Sequence, residues 1–170
     1  MKLLDTSGGN AKLKKNNQDK TLRVAGLSLL PNKQGCPFMY IAGCGESCLR
    51  FSGRGIFKNV EDSRQSKLDH LNSNRAGFIS DLVAELKTFS KYCAKRSLQG
   101  YVRLNVLQDY PWHTEAYGAI PQQFPELLFF DYTKVATRLG KTPDNYQLMF
   151  SYSPATAYQK SVELALKTDV

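Results

Sequence analysis

The chain has 170 residues, a formal net charge of +8 and a hydrophobic fraction of 42%. This length suits one domain, and the hydrophobic content is too high for a disordered chain. No apolar run approaches the roughly 20 residues that a membrane-spanning helix needs, and the N-terminus lacks the apolar core of a signal peptide. We therefore expect a cytoplasmic protein with no membrane partner, and the positive charge favours nucleic acid or an acidic host protein as its partner.

The start of the chain is polar and basic, and it contains several Gly and Asn residues. This composition predicts a loosely structured basic arm over residues 1–20, followed by a single α/β domain over residues 21–170. Aromatic residues lie beside further cations near residue 55, an arrangement that suits single-stranded nucleic acid. We predict that these basic residues contact nucleic acid or a protein partner: Lys12, Lys14, Lys15, Arg54 and Lys58.

Apolar patterns along the chain predict strands that are separated by helices. Buried strands are predicted over residues 22–30, 101–107, 127–132 and 146–152. Apolar residues at three- and four-residue spacing predict two helices between the first two strands, and shorter helices are predicted over 134–140 and 154–167. Such alternation favours parallel crossovers. We predict an α/β fold, with an open, mostly parallel sheet or a partial β/α barrel of roughly four or five strands with flanking helices.

Three of the four cysteines are crowded into a Gly-containing loop after the first predicted strand. These are Cys36, Cys44 and Cys48, whereas Cys93 lies on the apolar side of a predicted helix and suits a core position. In a reducing cytoplasm, clustered cysteines more often bind a metal than form a disulfide. Thiolates suit zinc or an iron–sulfur cluster. We predict a metal site at the three loop cysteines, with unliganded thiols or a disulfide as the alternatives.

Polar residues follow several of the predicted strands. In parallel sheets, functional residues collect at the carboxyl ends of the strands. The cysteine loop also follows a strand, so we expect it to open at the same edge of the sheet. The alternative is that the Asn and Asp side chains only cap the backbone there. The predicted strand-end pocket contains Asn105, Asp109, Asp131, Tyr132, Lys134, Ser151 and Tyr152.

Two kinds of catalytic site are disfavoured. The only histidines are His70 and His113, and neither accompanies a nucleophile signature. No Gly-x4-Gly-Lys-Ser/Thr sequence is present, which disfavours nucleotide hydrolysis by a P-loop.

Four short stretches, spread over most of the chain, carry a family resemblance. They are Leu3-Leu4 with residues 9–13, Cys36-Pro37 with Cys44 and Cys48, residues 103–106 with Asp109, and residues 132–134 with residues 150–153. On these stretches the chain resembles the gene-product-eighty-eight family of phage and mobile-element proteins. The resemblance implies a phage accessory protein but no settled activity. Leu49 stands where we expect Tyr in relatives, and we expect relatives to continue further, so a shortened form is implied.

The loop cysteines are also similar, in number and position, to those of radical S-adenosylmethionine enzymes. The spacing here is Cys-x7-Cys-x3-Cys, whereas those enzymes use Cys-x3-Cys-x2-Cys. This similarity implies a metal- or iron–sulfur-dependent enzyme on a partial barrel. The leading hypothesis is instead a phage accessory protein that binds nucleic acid or a host protein through a basic surface. A third hypothesis is an inhibitor of host defence that acts by surface binding.

Overall fold

The computed structural model of the chain describes residues 1–6, 17–45 and 47–168. Within them, five strands form one sheet in chain order: β1 (Leu4–Asp5), β2 (Leu22–Leu27), β3 (Gln99–Arg103), β4 (Leu128–Thr133) and β5 (Tyr146–Phe150). β1 is antiparallel to β2, and all other neighbouring strands are parallel. The open, mostly parallel sheet confirms the predicted α/β class.

Helices connect and flank the strands. α1 (Lys58–Ser73) and α2 (Arg75–Lys95) lie between β2 and β3, and α3 (Gln159–Leu166) follows β5. The Asn74 side chain accepts a hydrogen bond from the Gly77 N–H, which caps the start of α2. The helix predicted over 134–140 is instead a 3-10 turn at Ala136–Arg138. No helix in the described part of the chain is both long and apolar enough to cross a membrane.

Three strands end earlier than the apolar pattern predicts. β2 ends at Leu27, β3 at Arg103 and β5 at Phe150. Apolar residues beyond these ends, such as Leu29 and Val106, are buried in loops. A run of apolar residues indicates burial. It does not indicate hydrogen-bonded pairing between strands, so it does not locate the end of a strand.

The first residues of the chain are part of the fold, which corrects the predicted arm at its beginning. Leu3 and Leu4 are buried, and β1 pairs with β2. The Glu85 carboxylate of α2 accepts hydrogen bonds from both backbone N–H groups, at 2.6 and 2.8 Å. The Lys67 ammonium of α1 donates to the Leu3 carbonyl at 2.9 Å. The rest of the predicted arm, apart from residues 17–20, lies outside the described residues.

The main core lies between α1, α2 and one face of the sheet. β4 shows the division clearly, because Phe129 is buried whereas Tyr132 on the opposite face is 44% exposed. Cys93 is buried in this core, as its apolar surroundings in the sequence predict. Gly100 of β3 lies directly beneath α2, where a Cβ atom would stand 2.5 Å from Leu127 Cδ2 and 3.3 Å from the Cys93 sulfur.

Gly100→Ala should destabilise the protein, because the added methyl group would clash with the Leu127 side chain and crowd Phe89 and Cys93 of α2. We expect the free energy of unfolding to fall by about 1–3 kcal/mol, measured by chemical denaturation. Gly45→Ala is the matched control, since its Cβ would meet nothing closer than 3.7 Å. Equal stabilities of the two variants would contradict the close packing at Gly100.

Candidate functional site

A cavity of about 250 Å³ opens where β2, β3, β4 and β5 reach their carboxyl ends. We call it the rim cavity. The cysteine loop lines one side, and residues that end or follow β3, β4 and β5 line the other. The structure therefore brings the loop cysteines together with most of the predicted strand-end residues: Cys36, Cys44, Cys48, Asn105, Asp109, Tyr132, Lys134 and Ser151. Asp131 lies behind this lining, and Tyr152 lies outside it on the surface.

Asp131 is a fully buried carboxylate that replaces strand pairing. The register between β3 and β4 ends at Val102 and Phe129. Beyond that point, the Asp131 oxygens accept hydrogen bonds from the N–H groups of Leu104 and Asn105, at 3.2 and 2.9 Å. Backbone donors in a buried position need a partner, and here the side chain supplies it.

The surroundings of Asp131 determine its protonation. The Tyr146 hydroxyl donates a hydrogen bond to this carboxylate at 3.1 Å, and Arg103 Nε lies 3.7 Å from Oδ1. Burial nevertheless raises the pKa of Asp131 to about 7, because loss of water outweighs these favourable contacts. Burial and the adjacent carboxylate together raise the pKa of Tyr146.

Asp109 joins the loop after β3 to the end of β4. Its carboxylate accepts hydrogen bonds from the Thr133 hydroxyl and the Lys134 N–H, both at 2.9 Å. It also pairs with the Arg138 guanidinium at 2.8 Å. Burial raises the pKa of Asp109, and Arg138 opposes that rise. Asp109 therefore lines the cavity, but its charge is offset by a cation of its own.

Asn105 holds the same loop through its amide group. Its oxygen accepts hydrogen bonds from the Tyr110 N–H at 2.9 Å and from the Trp112 indole at 3.0 Å. Its nitrogen donates to the Tyr110 carbonyl at 2.9 Å. Asn105 thus caps the backbone, which is the alternative role that we expect for polar residues at strand ends.

Lys134 ties the end of β4 to the end of β5. Its ammonium donates to the Ser151 carbonyl at 3.0 Å, the Ser151 hydroxyl at 3.1 Å and the Tyr152 carbonyl at 3.3 Å. These three acceptors match the three donors of a lysine. Lys134 consequently adds positive charge to the cavity, but its three N–H donors are used by Ser151 and Tyr152.

Two of the loop thiols donate hydrogen bonds to backbone carbonyls. Cys36 Sγ donates to Leu107 at 3.8 Å, and Cys44 Sγ donates to Met39 at 3.5 Å. Burial raises the pKa of Cys36 to about 12, and the neighbouring Asp109 and the other loop thiols add to the rise. Cys36 is therefore a protonated thiol at neutral pH.

The zinc or iron–sulfur site predicted at the loop cysteines stays a prediction. Such sites need several thiolates directed at one point. Among the residues that the structure describes, no group of three or more His, Cys, Asp or Glu side chains is placed to hold a metal ion. Glu46, within the loop, lies outside the described residues.

Arg103 is a functional candidate that the sequence reasoning left out of the site. Its side chain lines the rim cavity, is only 15% exposed and lies 5.1 Å from the centre of the Tyr132 ring. Its Nε is buried without a hydrogen-bond partner. No hydrogen bond joins the guanidinium to any residue in the described ranges. The sequence feature that could have pointed to Arg103 is its position in a predicted strand, within one of the stretches that carry the resemblance.

A second cleft, of about 610 Å³, adjoins the rim cavity and shares Leu49, Val106 and Leu107 with it. Among the described residues, its lining contains one acidic residue, Asp5, and three cationic residues, which are Arg54, Arg64 and Lys67. We therefore call it the basic cleft. The predicted contact residue Arg54 therefore lies in a cleft. Lys58 is 87% exposed, pairs with Asp62 and lies outside this lining. The predicted contacts Lys12, Lys14 and Lys15 lie outside the described residues.

Exposed aromatic rings border both clefts, and two of them lie against guanidinium groups. The Arg50 guanidinium lies 4.5 Å from the centre of the Phe51 ring, on the cysteine-loop side of the rim cavity. Arg103 lies over Tyr132 on the strand side. Phe57, which lines the basic cleft, is also exposed.

A family model described as Gene product 88 matches residues 1–167 of the chain. The chain belongs to the Gene product 88 family. This finding confirms the first resemblance and makes the chain a phage-type protein. No curated protein and no solved structure matches the chain. The comparisons give no support to the similarity with radical S-adenosylmethionine enzymes.

Asp131→Asn should remove part of the pH dependence of stability. A carboxyl whose pKa is raised from 3.8 to about 7 binds its proton more tightly in the folded protein. Its contribution to stability is therefore complete below pH 4 and is lost as the pH rises to 7, by about 1.4 kcal/mol per pH unit. We expect the stability difference between wild type and variant to shrink by about 2 kcal/mol from pH 5 to pH 7 in urea denaturation.

The exposed Asp144→Asn serves as the control, and its difference from wild type should stay constant over this pH range. If the Asp131→Asn difference also stays constant, Asp131 does not change its protonation there, and its assigned pKa is wrong.

Cys36 should resist alkylation in the folded protein, because only the thiolate reacts. With iodoacetamide at pH 8, we expect Cys36 to react more than about a hundredfold more slowly in the native protein than in denaturant, given its raised pKa. Peptide mass spectrometry measures the rate at each cysteine. Comparable rates in the native and denatured states would show that the fold does not raise the pKa of Cys36.

Proposed function

We propose that this protein is a phage accessory protein that binds single-stranded nucleic acid in the host cytoplasm. The strand binds at the surface formed by the rim cavity and the adjoining basic cleft. The observation that carries the proposal is that two guanidinium groups lining the rim cavity, those of Arg50 and Arg103, each lie against an exposed aromatic ring, that of Phe51 or Tyr132.

The charge of the two clefts supports a polyanionic partner. Three cations line the rim cavity, which are Arg50, Arg103 and Lys134, and three more line the basic cleft. The acidic lining residue of the rim cavity, Asp109, is already paired with Arg138. Cations that line a concave surface concentrate its positive potential, which attracts phosphate groups.

The aromatic rings favour nucleic acid over an acidic host protein. An acidic protein surface needs only cations, whereas bases in a single strand also stack on exposed rings. Tyr132, Phe51 and Phe57 present such rings beside the cations. Duplex nucleic acid buries its bases in the helix, so these rings suit a single strand. The same surface would serve an inhibitor of host defence only if its target were a nucleic acid or carried matching acidic groups.

Binding of a labelled dT strand of about 20 nucleotides, followed by fluorescence anisotropy, tests this function. We expect binding at low salt that weakens about tenfold or more between 50 and 200 mM NaCl, because contacted phosphates release counterions. Tyr132→Ala should weaken binding by about 1–3 kcal/mol through lost stacking. Arg54→Gln should weaken binding and lower the salt slope by about 0.7.

Tyr92→Ala is the matched control. Tyr92 also lies beside guanidinium groups, those of Arg23 and Arg96, but it lines a different cleft. We expect this variant to bind as the wild type does. Absence of binding at low salt, or equal losses in the Tyr92 and Tyr132 variants, would contradict the proposal. If the dT strand does not bind and an acidic host protein does, the partner is a protein and not a nucleic acid.

A further inference from the structure

We infer that the rim cavity binds the terminal phosphate monoester of a nucleic-acid strand, with the Arg103 guanidinium as its principal ligand. This inference rests on the proposed function and specifies which part of the strand the cavity takes. It begins from the hydrogen-bond donors of Arg103, which have no acceptor among the described residues although the guanidinium forms an ion pair with Asp131.

Among the residues that the structure describes, none accepts a hydrogen bond from the Arg103 guanidinium. The side chain is mostly buried, and its Nε is buried without a partner. The nearest carboxylate, Asp131, lies 3.7 Å away and already accepts hydrogen bonds from Leu104, Asn105 and Tyr146. A guanidinium presents parallel donors that match two oxygens of a phosphate. A ligand anion in the rim cavity would accept hydrogen bonds from the terminal nitrogens of this guanidinium, which are not among the buried unpartnered atoms.

The other cations of the rim cavity add charge but have made their contacts. Lys134 donates to three oxygens at the end of β5. Arg50 pairs with Glu61 at 3.2 Å. Among the described residues, Arg103 is the lining cation whose side chain makes no hydrogen bond, and Lys134 adds a second positive charge to the lining. This balance fits a phosphate monoester, which carries close to two negative charges at neutral pH, better than an internal diester with one.

The dimensions of the rim cavity also favour the end of a strand. Its volume of about 250 Å³ lies just below the range of roughly 300–1,000 Å³ that is usual for small-molecule sites. Such a space suits one terminal nucleotide and not a strand that passes through. The exposed Tyr132 ring beside Arg103 offers a stacking surface for the terminal base. The adjoining basic cleft would then hold the following nucleotides.

The test compares internally labelled dT strands that differ only at their ends: a 5′-phosphate, a 3′-phosphate or hydroxyls at both ends. At about 0.15 M salt, we expect the wild type to bind one of the phosphorylated strands about tenfold more tightly than the hydroxyl strand. Arg103→Lys keeps the charge but loses the paired donors, so this preference should fall to about twofold or less. Arg54→Gln should weaken all three strands equally and keep the preference.

Denaturation curves of Arg103→Lys establish whether the variant is folded. Arg103→Gln provides a second variant, which removes the charge as well as the paired donors, with the same expected loss of preference. Equal binding of all three strands by the wild type would overturn the inference and leave the proposed function standing. Absence of binding by every strand would overturn both. Thymidine 5′-monophosphate and inorganic phosphate serve as competitors. If either one displaces the labelled strand at the same concentration as the unlabelled phosphorylated strand does, the site binds a free phosphate compound. That result would overturn the assignment to the end of a strand.

Discussion

The buried Asp131 carboxylate holds the sheet together where β3 and β4 stop pairing. Two backbone N–H groups beyond Val102 would otherwise lack partners in a buried place, which proteins rarely tolerate. Because this carboxylate accepts both hydrogen bonds, the two strands can separate and still leave no unpaired donor there. The rim cavity lies at this end of the sheet, and Asp131 lies behind its lining.

The polar residues at the strand ends divide into two groups, and the division follows the alternation of side chains along a strand. Asp131 points into the core and has a structural role, whereas its neighbour Tyr132 points outward and is exposed. Arg103 ends β3 beside the same open face and lies over Tyr132. The buried Asp131 carboxylate and the Arg103 guanidinium, which lines the rim cavity, therefore lie only 3.7 Å apart.

Much of the fold followed from periodicity, and parts of it did not. The long helices and the parallel strands have apolar patterns that local geometry imposes, so the α/β class was predictable. The strand ends were not, because loop residues such as Leu29 are as buried as strand residues. The place of Leu3 and Leu4 was missed for a different reason. Two apolar residues make no pattern, and what fixes them is the carboxylate of Glu85, 82 positions away from Leu3.

By itself the sequence determined the fold class, the basic charge, the family and the nearness of the cysteine loop to the strand ends, since each depends on composition or local order. Only the tertiary structure decided which polar groups remain free for a ligand. Lys134 and Asn105 are saturated by internal partners, while Arg103 is not. Saturation depends on acceptors brought together from separate strands, as when Asp131 meets Leu104 across 27 positions, and no local pattern encodes such a meeting.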